Sequence, residues 1–148
     1  MNDIDSLKAG LKSIEAGDFT HYRAHYSDNM IFTGPVPKPL SRVEYIDLMR
    51  ALHKAFPDWK FNATNFKQVR DRVSCNTRVS GTHTGVLDLP TLGISAVQPT
   101  NKHFTSPEEL LTVTIENGKI TRVETNNVPG GGLMGILSQI GVQISGRA

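Results

Sequence analysis

Two glutamates stand where the alternation of a strand turns a carboxylate toward the protein interior. Glu109 shares strand parity with Leu111, and Glu124 shares it with Ile120. A carboxylate buried among apolar side chains has a raised pKa, so it can accept a proton near neutral pH. We therefore predict Glu109 and Glu124 as catalytic acid–base residues. The alternatives are a solvated strand-start residue for Glu109 and a surface ion pair for Glu124, for example with Arg122.

His83 and Asn126 are the candidates for a hydrogen bond to a substrate oxygen. His83 has the parity of Val79, and an inward imidazole can act as a donor or an acid near neutral pH. Asn126 can donate through its amide but cannot act as a base. Beside a carboxylate base, such groups suit removal of a proton next to a carbonyl and stabilisation of the resulting enolate. The alternative for His83 is a structural side chain bonded to a loop carbonyl.

Apolar and aromatic side chains would form the wall of such a pocket. Each of them could equally belong to a packed core, because large apolar side chains are usually buried. The sequence does not decide whether space remains between them. The predicted lining residues are Phe32, Tyr45, Met49, His53, Trp59, Phe61, Leu111, Val113 and Asn126.

Helical spacing predicts three helices in the first part of the chain. Apolar residues repeat at helical spacing between Ile4 and Ile14, and a short second helix follows Asp18. Ser41 and Glu44 form the sequence pattern of a capping box, and Pro57 ends the third helix.

The period changes to two after Pro57. Strands are predicted over residues 59–64, 73–80, 110–115 and 120–125, in addition to an earlier one at 30–33, with Asn117 and Gly118 as a two-residue hairpin turn. Helices followed by antiparallel strands predict an α+β fold, with the N-terminal helices packed on a strongly curved antiparallel sheet. A curved sheet covered by helices leaves a cone-shaped cavity, which is a natural site for a small molecule.

Composition narrows the class of protein. The 148 residues suit a single domain (1–148), in which residues 130–148 read as a glycine joint and a short apolar tail. The net charge of +2, without a basic stripe, argues against nucleic acid, and no apolar run is long enough to span a membrane. One cysteine excludes an internal disulfide. His21 and His25 have a His-x-x-x-His spacing, but their short helix is a poor platform for a metal, so we expect no metal. The acidic N-terminus does not resemble a signal peptide, which favours a cytoplasmic location.

Several short segments together resemble the SnoaL-like polyketide cyclase family. They are His53-Lys54-Ala55-Phe56-Pro57-Asp58-Trp59, Asp71-Arg72-Val73, Gly81-Thr82-His83-Thr84-Gly85, Gly118-Lys119-Ile120 and Gln139-Ile140-Gly141. The resemblance covers roughly residues 5 to 141 in matching order. It implies the cone-shaped α+β barrel of nuclear-transport-factor-2-like proteins, ketosteroid isomerase and scytalone dehydratase.

The resemblance also implies a function. Characterised members close a polyketide ring by intramolecular aldol condensation, without a metal or organic cofactor, and use a pocket acid with a histidine nearby. It further implies a homodimer formed through the sheet face. The chain departs from the family at its catalytic Asp, because Glu124 stands at the usual Trp and no Asp follows Asp88. The alternative function is therefore a non-catalytic protein that binds a small apolar ligand.

Overall fold

The computed structural model describes residues 2–90 and 93–142. Within them, helices come first and most strands follow, which confirms the α+β fold class. The elements in chain order are α1 (Asp3–Glu15), α2 (Tyr22–His25), β1 (Tyr26–Thr33), β2 (Leu40–Ser41), α3 (Arg42–Ala55), β3 (Thr64–Val69), β4 (Arg72–Thr77), β5 (Ser80–Thr82), β6 (Leu87–Leu89), β7 (Ile94–Val97), β8 (His103–Thr105), β9 (Glu109–Glu116), β10 (Lys119–Thr125) and α4 (Gly132–Gln139).

The main sheet is mixed rather than wholly antiparallel. Its strand order is β2-β1-β10-β9-β4-β3, and β1 and β10 run parallel while the other neighbours are antiparallel. The expectation of an antiparallel sheet is therefore wrong at this one contact, because alternation identifies a strand without identifying its partner. The described sheet ends at β2 and β3, so hydrogen bonds do not close it into a complete barrel.

The pairing of β4 with β9 is interrupted at residues 78–79 and 106–108, a break that we call the bend. Beyond it, β5 and β8 form a separate two-stranded ladder. At the bend, the Val79 N–H donates to Ser106 Oγ (2.9 Å) and the Ser106 N–H donates to the Val79 carbonyl (2.7 Å). A serine side chain thus replaces one backbone acceptor where the strands turn. Glu109 is the first residue of β9, next to the bend, and it is buried.

The segments around Trp59 and His83 join the end of α3 to this corner. Asp58 accepts hydrogen bonds from the backbone N–H (2.7 Å) and the hydroxyl (2.8 Å) of Thr82. The Thr84 and Gly85 N–H groups donate to the Ala55 carbonyl, which the helix itself leaves unpaired. A Cβ on Gly85 would lie 2.1 Å from the Lys54 carbonyl oxygen, so the loop reaches the helix only with glycine there. These two motifs therefore hold the end of the helix in place.

The C-terminal segment is an ordered part of the fold. Residues 132–139 form α4, and its Ile136 and Leu137 are buried in the core. Gln139 is bonded to β8 in both directions, since its side chain accepts from the Thr105 N–H (3.0 Å) and donates to the Thr105 carbonyl (2.8 Å). The expected tail is thus a helix as far as residue 139, and residues 143–148 lie outside the described residues. No helix in the described part of the chain has the length and apolarity needed to cross a membrane.

Candidate active site

An apolar cavity lies between α3, α4 and the inner face of the sheet. Its volume is about 110 Å³. Apolar side chains dominate its wall, and its few polar groups gather near the bend. The lining residues are Phe32, Pro35, Val36, Tyr45, Leu48, Met49, Leu52, Trp59, Phe61, Thr77, Val79, Ser106, Glu109, Leu111, Thr125, Gly132, Leu133 and Ile136.

Glu109 is the only carboxylate among these lining residues. Its side chain is buried, with the residue 6% exposed, and its Oε2 accepts a hydrogen bond from the Gly132 N–H at 3.0 Å. Burial raises the pKa of the Glu109 carboxyl, because the charged form loses its hydration. The Gly132 N–H and the nearby Ser106 hydroxyl oppose the rise in pKa but do not cancel it. Glu109 therefore has the environment of a general base.

The glycines before α4 create the space for this carboxylate. A Cβ on Gly131 would lie 2.6 Å from Glu109 Oε2, and one on Gly132 would lie 2.6 Å from Pro35 Cβ. Gly132 also has a φ of +66°, a backbone conformation that glycine adopts without strain. The sequence pattern predicted only a joint at residues 130–132 and did not predict that these glycines make room for Glu109. The glycine run itself was the available signal, since consecutive glycines at the start of an apolar helix allow backbone N–H groups to approach an anion.

Two further polar side chains stand near the carboxylate or in the aromatic wall. Thr77 is directly opposite Glu109 in the β4–β9 ladder, is buried and lines the cavity. Side chains of directly opposed residues are neighbours on one face of a sheet. The indole Nε1 of Trp59 is buried and has no hydrogen-bond partner among the described residues. Trp59 was predicted from the sequence as an apolar lining residue, whereas Thr77 was not among the predicted site residues.

Six of the predicted lining residues meet at the cavity. They come from the sheet, from α3 and from the segment after α3: Phe32, Tyr45, Met49, Trp59, Phe61 and Leu111. Burial raises the pKa of Tyr45 to about 12, against an opposing hydrogen bond with Tyr26, so its hydroxyl keeps its proton at neutral pH. Val113 is 1% exposed and belongs to the packed core instead of the cavity wall.

His83 does not line the cavity. The ring is fully buried behind the wall, with its centroid 5.3 Å from that of Phe56. Its Nδ1 accepts a hydrogen bond from the Thr100 N–H at 3.2 Å and lies 3.0 Å from Thr100 Oγ1. Burial lowers the pKa of His83, against the opposing effect of the Gly85 carbonyl, so the ring is neutral at neutral pH. The inward parity was right, but an aromatic layer separates His83 from the cavity.

Glu124 also lies outside the cavity wall. The ladder shifts register between Ile120 and Arg122, so Thr121 is an extra residue that has no partner on β9. A bulge of one residue exchanges the two faces of a strand beyond it. Val123 is therefore buried, and Glu124 instead pairs with Arg122, whose Nε is 3.3 Å from Glu124 Oε2. The parity argument was wrong here because alternation cannot reveal a bulge.

His53 and Asn126 likewise do not line the cavity. The His53 ring packs edge-on against Phe19, with centroids 6.1 Å apart, on a side of α3 that faces Gly17. Asn126 is exposed, and its Oδ1 accepts a hydrogen bond from the Leu110 N–H at 2.8 Å. The prediction that His53 and Asn126 line the cavity is therefore wrong.

Within residues 2–90 and 93–142, no three side chains of His, Cys, Asp or Glu converge as metal ligands.

Comparison with known proteins gives one family match and a set of similar structures. The sequence profile of the SnoaL-like polyketide cyclase family matches residues 6–125. IdmH from Streptomyces antibioticus, a candidate polyketide cyclase, is 18% identical with a TM-score of 0.73, over 96% of this chain and 100% of that chain. A candidate SnoaL-like cyclase from Jannaschia sp. CCS1 is 14% identical with a TM-score of 0.73, over 96% and 93% of the two chains.

A third similar structure carries a different description. AclR from Streptomyces galilaeus, a candidate hydroxylase, is 19% identical with a TM-score of 0.72, over 94% of this chain and 80% of that chain. At these identities the structural matches show a shared fold alone, because one fold supports many chemistries. A search of curated proteins gives no match.

Proposed function

Since the chain belongs to the SnoaL-like polyketide cyclase family, we propose that its cavity binds a hydrophobic carbonyl compound and that Glu109 is the general base. The observation that carries this proposal is a single buried carboxylate among the described lining residues of a mainly apolar cavity. Such a site can bind the apolar body of a ligand and present one proton acceptor to it. The reaction is a cofactor-free aldol ring closure, or a related isomerisation or dehydration.

The aldol step follows from the position of Glu109. The carboxylate takes a proton from the carbon next to a carbonyl, and the electron pair of that C–H bond forms an enolate. The enolate carbon attacks a second carbonyl carbon of the same molecule, forming a C–C bond and an alkoxide. The carboxylic acid of Glu109 then returns its proton to the alkoxide. The product is an isomer of the substrate, so the step needs no oxidant and no other reactant.

We propose that the Thr77 hydroxyl donates a hydrogen bond to the enolate oxygen. Its position opposite Glu109 supports this role, because base and donor would meet the same carbonyl group from neighbouring strands. Glu109 thereby replaces the catalytic Asp that the family resemblance implies, and Thr77 replaces His83 and Asn126. His83 and Glu124 have no part in this proposal, since neither side chain lines the cavity.

Exchange of substrate protons for deuterium tests the assignment of Glu109. Soluble 1,3-diketones and poly-β-ketones are incubated in deuterated buffer, and exchange next to the carbonyl is followed by NMR together with ring closure. We expect Glu109→Gln to lose about 10²- to 10⁴-fold in rate, the usual contribution of a general base. Glu124→Gln is the matched control and should keep the wild-type rate. Equal rates in all three proteins would show that Glu109 is not the base.

A non-catalytic binding protein is the second candidate. The bond from the Gly132 N–H favours it, because that bond gives Glu109 a structural use in holding the start of α4. This candidate predicts that diketones bind to wild-type protein without any exchange above the buffer rate. It also predicts that Glu109→Gln binds them with unchanged affinity, since an amide oxygen can accept the same hydrogen bond.

A further inference from the structure

A groove on the outer surface continues the cavity past α4. It is lined by residues 34–37, Ile94, Asn127, Leu133 and Met134. The cavity and the groove share three lining residues, Pro35, Val36 and Leu133. Each of the three is half-buried, and the two spaces adjoin at these residues. A ligand that passes between residues 35–36 and Leu133 would therefore contact both.

The cavity beside Glu109 is small, with a volume of about 110 Å³. A ligand larger than the cavity must extend beyond it, and the three shared lining residues mark the direction of the groove. The groove surface is mainly apolar, with Asn127 as its polar side chain among the described residues.

Met134 gives the groove an adaptable surface. It lies on the outer side of α4 and is 59% exposed, while Leu133 and Ile136 face the cavity. Methionine is unbranched and flexible, and it is favoured on surfaces that bind apolar groups of varied shape. An exposed apolar side chain beside prolines and Ile94 provides a surface for the non-reacting part of a ligand.

We propose that the outer groove is a second subsite, which binds the distal apolar part of an elongated carbonyl compound while its carbonyl end lies beside Glu109. This inference rests on the proposed function, because it assigns the reacting end to the same cavity. In this proposal, the groove determines which length of ligand the protein binds best. The cavity selects a carbonyl group in an apolar setting, and the groove selects what is attached to it.

Methyl ketones with alkyl chains of increasing length test the subsite. Binding is measured by the fluorescence of Trp59, the single tryptophan of the chain and a lining residue of the cavity. For wild-type protein we expect affinity to rise up to about fourfold with each methylene that enters the groove. Met134→Glu should flatten this rise, because it should lower the affinity for the longest ketones about tenfold and leave the affinity for the shortest unchanged. Asn127→Leu should have the opposite effect and raise the affinity for the longest ketones.

Val43→Glu is the matched control. Val43 is 55% exposed in the first turn of α3, as Met134 is in the first turn of α4, and an acid is favourable at either helix start. The control should reproduce the wild-type dependence on chain length. If Met134→Glu and Asn127→Leu also reproduce it while short ketones bind, the subsite is overturned and the proposed function stands. If no ketone binds to wild-type protein, the proposed ligand class falls together with the subsite.

Discussion

Glu109 experiences two opposing physical effects. Burial disfavours its charged form, while the Gly132 N–H favours that form from the start of α4, where the helix dipole is positive. The net effect raises the pKa of the carboxyl above its ordinary value of 4.5. A carboxylate balanced in this way can take up a proton and release it again, which the proposed aldol step requires.

The raised pKa of Glu109 predicts a specific dependence of stability on pH. As pH rises above 4.5, the unfolded chain loses the Glu109 proton before the folded protein does. The folded state therefore loses stability as pH rises toward the raised pKa, and this contribution is fully present only below pH 4.5. Glu109→Gln lacks that loss. We expect the free energy of unfolding in urea to rise for the variant relative to wild type as the pH goes from acidic to neutral.

Glu124→Gln serves as the comparison for this titration. Glu124 is partly exposed and pairs with Arg122, and exposed ion pairs contribute about 0–1 kcal/mol. The free energy of unfolding of Glu124→Gln should differ from that of wild type by a nearly constant amount over the same range of pH. A constant difference for Glu109→Gln as well would contradict the burial of a charged Glu109.

His83 predicts the opposite slope. Its lowered pKa means that the unfolded chain binds the proton first as pH falls below the ordinary value of 6.5. The stability that the neutral ring contributes is thus present above pH 6.5 and is lost as pH falls through the lowered pKa. We expect His83→Gln to be less stable than wild type at pH 7.5 but to lose less stability between that pH and 5.5. Parallel urea-unfolding slopes would show that His83 is not desolvated.

At the scale of elements, α4 determines the shape of the site. Its start is bonded to Glu109 at the bend of the sheet, and its end is bonded to Thr105 through Gln139. Leu133 and Ile136 cover the cavity between those two attachments. Gly131 and Gly132 allow this arrangement because they carry no side chain where the chain approaches Glu109 and Pro35.

Gly131→Ala tests that close approach. The new methyl group would lie 2.6 Å from Glu109 Oε2 and 2.7 Å from Val128 Cγ2, so α4 or Glu109 must move. We expect a loss of about 1–3 kcal/mol in the free energy of unfolding, typical of overpacking. Exchange of the α4 amide hydrogens should also become faster. Gly10→Ala is the control, because its methyl group comes no closer than 3.4 Å to the Tyr26 hydroxyl and alanine favours the helix.

At the scale of the whole molecule, the sheet presents an outer face that α3 and α4 leave uncovered. Thr112, Thr114 and Ser74 lie on it, partly exposed, and Leu110 is 43% exposed at its edge. Such a face can pair with a second copy of itself around a two-fold axis. We propose that the protein forms a homodimer through this face, which leaves the cavity on the opposite side free for ligand.

Leu110→Glu tests the dimer. The new charge of each copy would be buried in the interface without a partner, which should weaken the dimer about tenfold or more. Sedimentation velocity over a range of micromolar concentrations measures the change, with Val43→Glu on α3 as a control of equal charge. A wild-type protein that is monomeric at micromolar concentration would contradict the proposed interface.

Local patterns in the sequence determined much of the fold. Ser41 and Glu44 form the expected capping box, and Asn117 and Gly118 have the positive φ values of the expected hairpin turn. Part of the apolar wall followed from the same patterns, since Leu111 reaches the cavity as alternation indicates. Trp59 and Phe61 also reach it, although residues 59–63 form only an isolated bridge at Lys60 instead of the predicted strand. These features depend on interactions within a few residues, which the order of amino acids largely specifies.

Only the tertiary structure decided which polar side chains meet at the site. The bulge at Thr121 moved Glu124 to the other face, and the packing of Phe56 separated His83 from the cavity. The contact of Glu109 with Gly132 joins residues 23 positions apart, and no local pattern encodes it. Register, bulges and long-range packing depend on the whole chain at once, so the sequence by itself named Glu109 as a candidate and the fold distinguished it from Glu124.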